Sequence, residues 1–276
     1  MGPSAAIVVT GVLVAAASAL LGTFLVLRRM AMMTDAITHA VLPGLVLGYA
    51  VAGGPNLLLA FVGAATSSLV LVALVDRLSR SGRVDSQAAI GVAFSAMFAL
   101  GTFLVTRFFS DVHLDTDAVL YGNIEFVGFD RLFLGDVDLG PRSVWVMGAL
   151  CLVNLAFVTV FSKELELTTF DPALAAALGF TPAVVHYALM ALVSVTAVGA
   201  FTAVGAILVV ALMVVPAATA LLLSQRLRVV IVLSVLIGAA SAVTGYLAAT
   251  AFDTSVSGMM ATMTGVFFGL ALVGSP

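Results

Sequence analysis

From Ala5 to Leu27 the chain runs twenty-three residues without a charged side chain, and apolar stretches of similar length recur to its far end. As an α-helix, about 20 such residues cross the roughly 30 Å hydrocarbon core of a bilayer. Inside hydrocarbon each backbone N–H and C=O must find its partner within the segment, so a run of this kind is restricted to the helix. The pattern therefore predicts an all-α, polytopic membrane protein. The first stretch has no basic residues before it and meets Arg28-Arg29 after it, the reverse of a secretory signal, so it reads as a retained first span.

The spans are expected at about 5–27, 32–52, 57–75, 87–106 and 143–161, then two within 183–223, and finally 229–250 and 259–274. Gly53-Gly54-Pro55-Asn56 marks a turn after the second. The run 183–223 is too long for one crossing, and the tandem Thr196-Ala-Val-Gly-Ala200 and Thr202-Ala-Val-Gly-Ala206 marks where it divides. Nine spans result, or eight if the tandem re-enters the membrane instead of crossing it. With nine, Arg28, Arg29, Arg77, Arg80, Arg83, Lys163, Arg226 and Arg228 fall on one side, against Arg107, Arg131 and Arg142 on the other. The basic excess places the first set in the cytoplasm, with the N-terminus outside and the C-terminus inside.

Composition excludes several classes of function. With 62% hydrophobic and 9% charged residues, no polybasic run exists to bind nucleic acid. The single cysteine, Cys151, rules out an internal disulfide. The one lysine, Lys163, lies in no Gly-x-x-x-x-Gly-Lys-Ser/Thr loop, so the chain has no P-loop with which to hold ATP.

Against this background Asp35 and His39 stand out. Four residues apart in the second span, they share one helix face, and an ionisable pair within a span is a functional-site candidate because burying a lone charge is costly. Pro43, a further four residues on, removes the N–H that the His39 carbonyl would otherwise receive and is expected to bend the helix there, so that Pro43 and Gly44 mark a helix break or a gate; Pro216 is a similar candidate in a late span. A carboxylate and an imidazole could meet a divalent cation here, or could serve as a helix cap and a packed histidine. The long connection 107–142 carries His113, Asp115, Asp117, Asn123 and Glu125, which could form an outer vestibule that concentrates cations or a simple solvated loop. In the polar segment 162–182, Asp171 is an N-cap, Pro172 a first helical residue and Gly179 a stop, predicting a short separate helix. Leu174 and Leu178 share one face of it, with Phe180 just beyond. Methionines at Met30, Met32, Met33, Met259, Met260 and Met263 fit packing better than copper binding.

Taken together, these segments resemble a known family. Arg29-Met-Ala-Met-Met-Thr-Asp35-Ala-Ile-Thr-His39-Ala-Val-Leu-Pro43-Gly44 is similar to the signature of the permease subunits of ABC transporters for zinc, manganese and iron uptake, the ABC-3 metal-ion permeases. So are Ala89 to Ser95 with Ala99-Leu100-Gly101, Leu120-Tyr121-Gly122-Asn123-Ile124, Thr169-Phe170-Asp171-Pro172 through Ala175 to Gly179, and Gly205 through Pro216 to Thr219. The resemblance implies an importer permease of the type II, vitamin B12 importer-like architecture in a prokaryotic plasma membrane. It implies as partners a separate ATP-binding ATPase, an extracytoplasmic metal-binding receptor and a second permease copy. The substrate would be a divalent metal ion contacted by Asp35 and His39, with no permanently bound cofactor. The helix at Asp171, Pro172, Leu174, Ala175, Leu178 and Gly179 would dock on the ATPase.

Two other classes remain open from the residues themselves. A proton- or sodium-coupled secondary transporter would also place a carboxylate and a histidine in a span, although the second half holds no repeat of that segment. A membrane-embedded enzyme would need a third catalytic partner for the pair.

Overall fold

A computed structural model describes residues 2–52, 57–108, 124–134 and 137–274. Helix α1 is Pro3–Leu27, α2 Ala31–Ala52, α3 Leu57–Arg80 and α4 Ser86–Phe108. After a 3₁₀ turn at Ile124–Phe126, strands β1 (Arg131–Leu134) and β2 (Val137–Pro141) pair as an antiparallel hairpin. Then follow α5 (Arg142–Val160), the short α6 (Ser162–Phe170) and α7 (Pro172–Ala177), and α8 (Pro182–Val204). The last three helices are α9 (Ala206–Leu223), α10 (Leu227–Phe252) and α11 (Val256–Gly274).

Among the described residues nine helices, all but α6 and α7, are long and apolar enough to cross a membrane. The division of the 183–223 run comes at Gly205, which separates α8 from α9 with φ +80°, a conformation open to glycine at little cost. The tandem therefore marks the break between two helices that are each long and apolar enough to cross, in agreement with the nine-span expectation.

Two expectations need correction. Neither proline breaks its helix: α2 is continuous through Pro43 and α9 through Pro216. Closely packed neighbours hold such a helix together where one backbone bond is missing. In addition, the 162–182 segment contains two short helices where one was expected. The residues of α6, Ser-Lys-Glu-Leu-Glu-Leu-Thr-Thr-Phe, bury Leu165 and Thr168 inward, which gives this charged stretch a face to fold against.

Helix α1 is the centre of the bundle. Its most apolar window is 67% buried, against 17% for α5 at the periphery. Hydrocarbon gives helices no hydrophobic reason to associate, so contact depends on small residues and interhelical hydrogen bonds. Both are present around α1. Gly22 lies so close to the Met213 carbonyl of α9 that a Cβ there would come within 1.8 Å of its oxygen. The Asn154 amide of α5 donates to the Ala17 carbonyl (3.1 Å) and the Thr196 hydroxyl (2.9 Å), tying α5, α1 and α8 together. Thr23 donates to Ser234 of α10 at 3.2 Å.

Helix α2 is held as tightly from both sides. Gly44 meets Gly63 of α3 with backbones nearly touching, and the Ser67 hydroxyl donates to the Ala40 carbonyl at 2.6 Å. On its other flank Gly101 of α4 lies against Leu42 and Pro43.

Candidate functional site

Asp35 and His39 lie near the start of α2, where the side chains opposite them, Met33, Thr34 and Ile37, are buried in the core. The buried stripe orients the helix, and the i, i+4 spacing then brings the pair together with His39 Nε2 3.7 Å from Asp35 Oδ1. That separation is too long for a hydrogen bond and leaves lone pairs of both groups available to a third partner. Both side chains are partly open, His39 at 31% and Asp35 at 42%. The imidazole sits edge-on to Phe94 and Phe98 of α4, with ring centroids at 5.3 and 5.7 Å, so α4 sets its orientation. Next to it the Thr38 hydroxyl donates to the Asp35 carbonyl at 2.8 Å.

The pair supplies one oxygen and one nitrogen donor. Among the described residues no group of three or more His, Cys, Asp or Glu side chains gathers to hold a metal. Two donors on a rigid helix suit an ion in passage more than a permanently held one, because most of its coordination positions stay open. Further along the same helix, Pro43 and Gly44 occupy the tight contacts with α4 and α3. Pro216 is buried within α9.

At the end of the bundle that carries Arg28, α7 has the capping foreseen for it. Asp171 Oδ1 accepts from the Leu174 N–H at 2.9 Å, and Pro172 takes the first helical position. At the other end Gly179 adopts φ +88°, its N–H donating to the Ala176 carbonyl (3.1 Å) while the Phe180 N–H donates to that of Ala175 (3.0 Å), the paired bonds of a glycine-terminated helix. Ala175 is fully buried and faces the bundle, whereas Leu174, Leu178, Phe180 and the preceding Phe170 are exposed. The apolar ridge expected of Leu174 and Leu178 is therefore presented outward.

His113, Asp115, Asp117 and Asn123 lie outside the described residues. Glu125, from the same connection, accepts the Val256 N–H at 3.2 Å, satisfying a donor at the start of α11. Met33 and Met260 are buried in the core, as packing residues would be.

One cluster escaped the sequence reading. Arg28, at the end of α1, donates through Nη2 to the Thr168 hydroxyl (3.0 Å) and through Nε to the Thr169 hydroxyl (3.1 Å), both on α6. Its Nη1 lies 3.5 Å from His186 Nδ1 of α8, and His186 Nε2 lies 3.4 Å from Asp76 Oδ1 of α3. Burial pushes the Arg28 pKa down from its ordinary value, but a guanidinium remains charged at any physiological pH. The available signal was the placement of threonines immediately before the Asp171 cap and of a histidine one turn into the next span.

The profile of the ABC 3 transport family matches residues 4–275. The chain is 44% identical to the manganese transport system membrane protein MntD of Bacillus subtilis over 270 residues, 98% of this chain and 91% of that protein. It is 45% identical to the zinc transport system membrane protein TroD of Treponema pallidum over 270 residues, 98% of this chain and 73% of that one. Among solved structures it superposes on PsaBC from Streptococcus pneumoniae in complex with Fab with a TM-score of 0.79 at 30% identity, covering 98% of this chain and 91% of that one.

Proposed function

The chain belongs to the ABC 3 transport family, and we propose that it is the membrane permease of an ATP-driven importer that carries divalent manganese, zinc or iron from an extracytoplasmic receptor to the cytoplasm. Its fold is that of the type II, vitamin B12 importer-like permeases. The observation that carries the reading is the Asp35–His39 pair, two metal-type donors 3.7 Å apart and partly open on a membrane helix. Carboxylate oxygen with imidazole nitrogen suits any of the three metals and does not choose among them. A bound ion needs the carboxylate charged and the imidazole neutral, so protons compete with it and occupancy falls as pH falls.

One copy offers two donors on the partly open α2 and α4 face. A second copy across that face doubles them to a four-donor crossing point, which favours a homodimer with the pathway along its axis. The Arg28 end of the bundle is cytoplasmic by its basic excess, with the N-terminus outside and the C-terminus inside. There the apolar ridge of Leu174 and Leu178 docks in a separate ATPase that binds the ATP for which this chain has no P-loop. Rigid-body rocking of the helices then moves the pair between outward and inward access, in the plasma membrane of a prokaryote. Pro43, Gly44 and Pro216, within continuous helices, would mark the gate of that pathway.

The test is metal accumulation in cells expressing the chain with its ATPase and receptor, compared with Asp35→Ala and His39→Ala at matched membrane abundance. Accumulation of one of the three metals that collapses in both variants supports the reading. An assembled wild-type complex that accumulates none of them overturns it, and full transport by both variants removes the pair from the pathway.

A further inference from the structure

We propose that Arg28 is a positioning residue that carries movement of the α6–α7 segment to the Asp35–His39 pair. The inference rests on the reading that α7 docks on the ATPase. The guanidinium bonds to α6 through Thr168 and Thr169, at 3.0 and 3.1 Å, in the last turn before the Asp171 cap of α7. On its other side it reaches His186 of α8, and through it Asp76 of α3. A planar fork with fixed donor directions transmits a push from both threonines as one rigid lever.

What lies behind Arg28 has no slack. It is the C-cap of α1, and only Arg29 and Met30 separate it from α2. Arg29 holds φ +59°, the Met30 N–H donates to the Leu25 carbonyl at 2.8 Å, and Gln87 of α4 donates its amide to the Arg29 carbonyl at 3.0 Å. Asp35 is the fifth residue of α2, about 6 Å along its axis from the start. A displacement at Thr168 and Thr169 is therefore delivered to the base of the helix bearing the metal-type donors. The turn also reaches α4 through Gln87, and α4 positions His39 through Phe94 and Phe98.

The cluster is also poised for a second arrangement. Among the described residues Ser79 Oγ of α3 is buried without a hydrogen-bond partner, and the His186 Nε2 to Asp76 Oδ1 contact, at 3.4 Å, is a long one. Unpaired buried groups favour any rearrangement that pairs them, which is what a two-position element requires.

The experiment uses the complete complex of permease, ATPase and receptor in proteoliposomes, measuring Mn²⁺ or Zn²⁺ taken up per ATP hydrolysed. The variants are Arg28→Gln, and Thr168→Val with Thr169→Val, which leaves the arginine intact. Uptake per ATP is expected to fall at least tenfold in each while ATP hydrolysis stays within about twofold of wild type. Combining the substitutions should produce no further loss, because they sever one connection. Wild-type uptake per ATP in either variant overturns the proposal. So does a proportional loss of both rates with reduced thermal stability, which marks a purely structural role. Leu174→Asp, run in parallel, isolates the docking reading: retained ATPase association there refutes docking, whatever the Arg28 variants show.

Discussion

Replacing Gly44 with alanine adds one methyl group at the closest approach of α2 and α3. Built on the present backbone, its Cβ falls 1.9 Å from the Gly63 carbonyl oxygen, 2.4 Å from that carbonyl carbon and 2.6 Å from Ser67 Cβ. Two of these three atoms are backbone, so a rotamer change gives no relief. Real Cβ contacts are essentially never shorter than 3.0 Å, and the helices must part by about 1 Å or more. Overpacking of this kind costs roughly 1–3 kcal/mol. Separation also stretches the Ser67 to Ala40 hydrogen bond, 2.6 Å at present, and interhelical bonds in membranes average about 0.6 kcal/mol. Alanine's better helix propensity returns at most about 1 kcal/mol, leaving a net loss of about 0.6–2.6 kcal/mol. At about 2–4 °C per kcal/mol for a chain of this size class, Tm should drop by roughly 1–10 °C. The assay is thermal unfolding of detergent-solubilised protein, with Gly265→Ala and Gly269→Ala as controls because a Cβ at either meets nothing within 4 Å. Metal accumulation at matched abundance should fall for Gly44→Ala and hold for the controls, since α2 carries Asp35 and His39. A Gly44→Ala protein within 1 °C of wild type, or controls that destabilise equally, would refute the close-packing account.

Other outcomes follow from single contacts. Asn154→Leu removes the amide that bridges Ala17 and Thr196, and should cost about 0.6–1.7 kcal/mol, read as a lower Tm with unchanged helical content by circular dichroism. Asp171→Ala deletes the cap on the Leu174 N–H; a loss of about 1 kcal/mol confined to a short helix should appear as faster amide exchange at Leu174 and little change in global Tm. Leu174→Asp and Leu178→Asp alter exposed side chains, so Tm should stay within about 0.5 kcal/mol equivalent of wild type while co-purification with the ATPase falls sharply. Phe98→Ala removes one of the two rings against His39, and should weaken metal accumulation less than His39→Ala does while leaving the chain folded.

The nine crossings, the capped helix at Asp171 and the pairing of Asp35 with His39 were all legible in the residues, because each depends on spacing along a helix. Apolar length against bilayer thickness sets the spans, and a period of 3.6 residues puts i and i+4 on one face. Capping is similarly local, a matter of one carboxylate, one proline and one glycine. Sequence could not show that Pro43 and Pro216 lie in unbroken helices, since the outcome depends on the neighbours that hold α2 and α9. It did not place Phe94 and Phe98 over His39, or Gly63 against Gly44, because those contacts join helices at separations the chain's periodicity does not encode. Arg28 is the clearest case. As a sequence feature it was one of a basic pair that orients a membrane span, whereas the fold brings to it threonines about 140 residues away and a histidine 158 residues away. Contacts between distant segments are chosen by how helices pack, and only the assembled bundle decides which polar groups share a buried end.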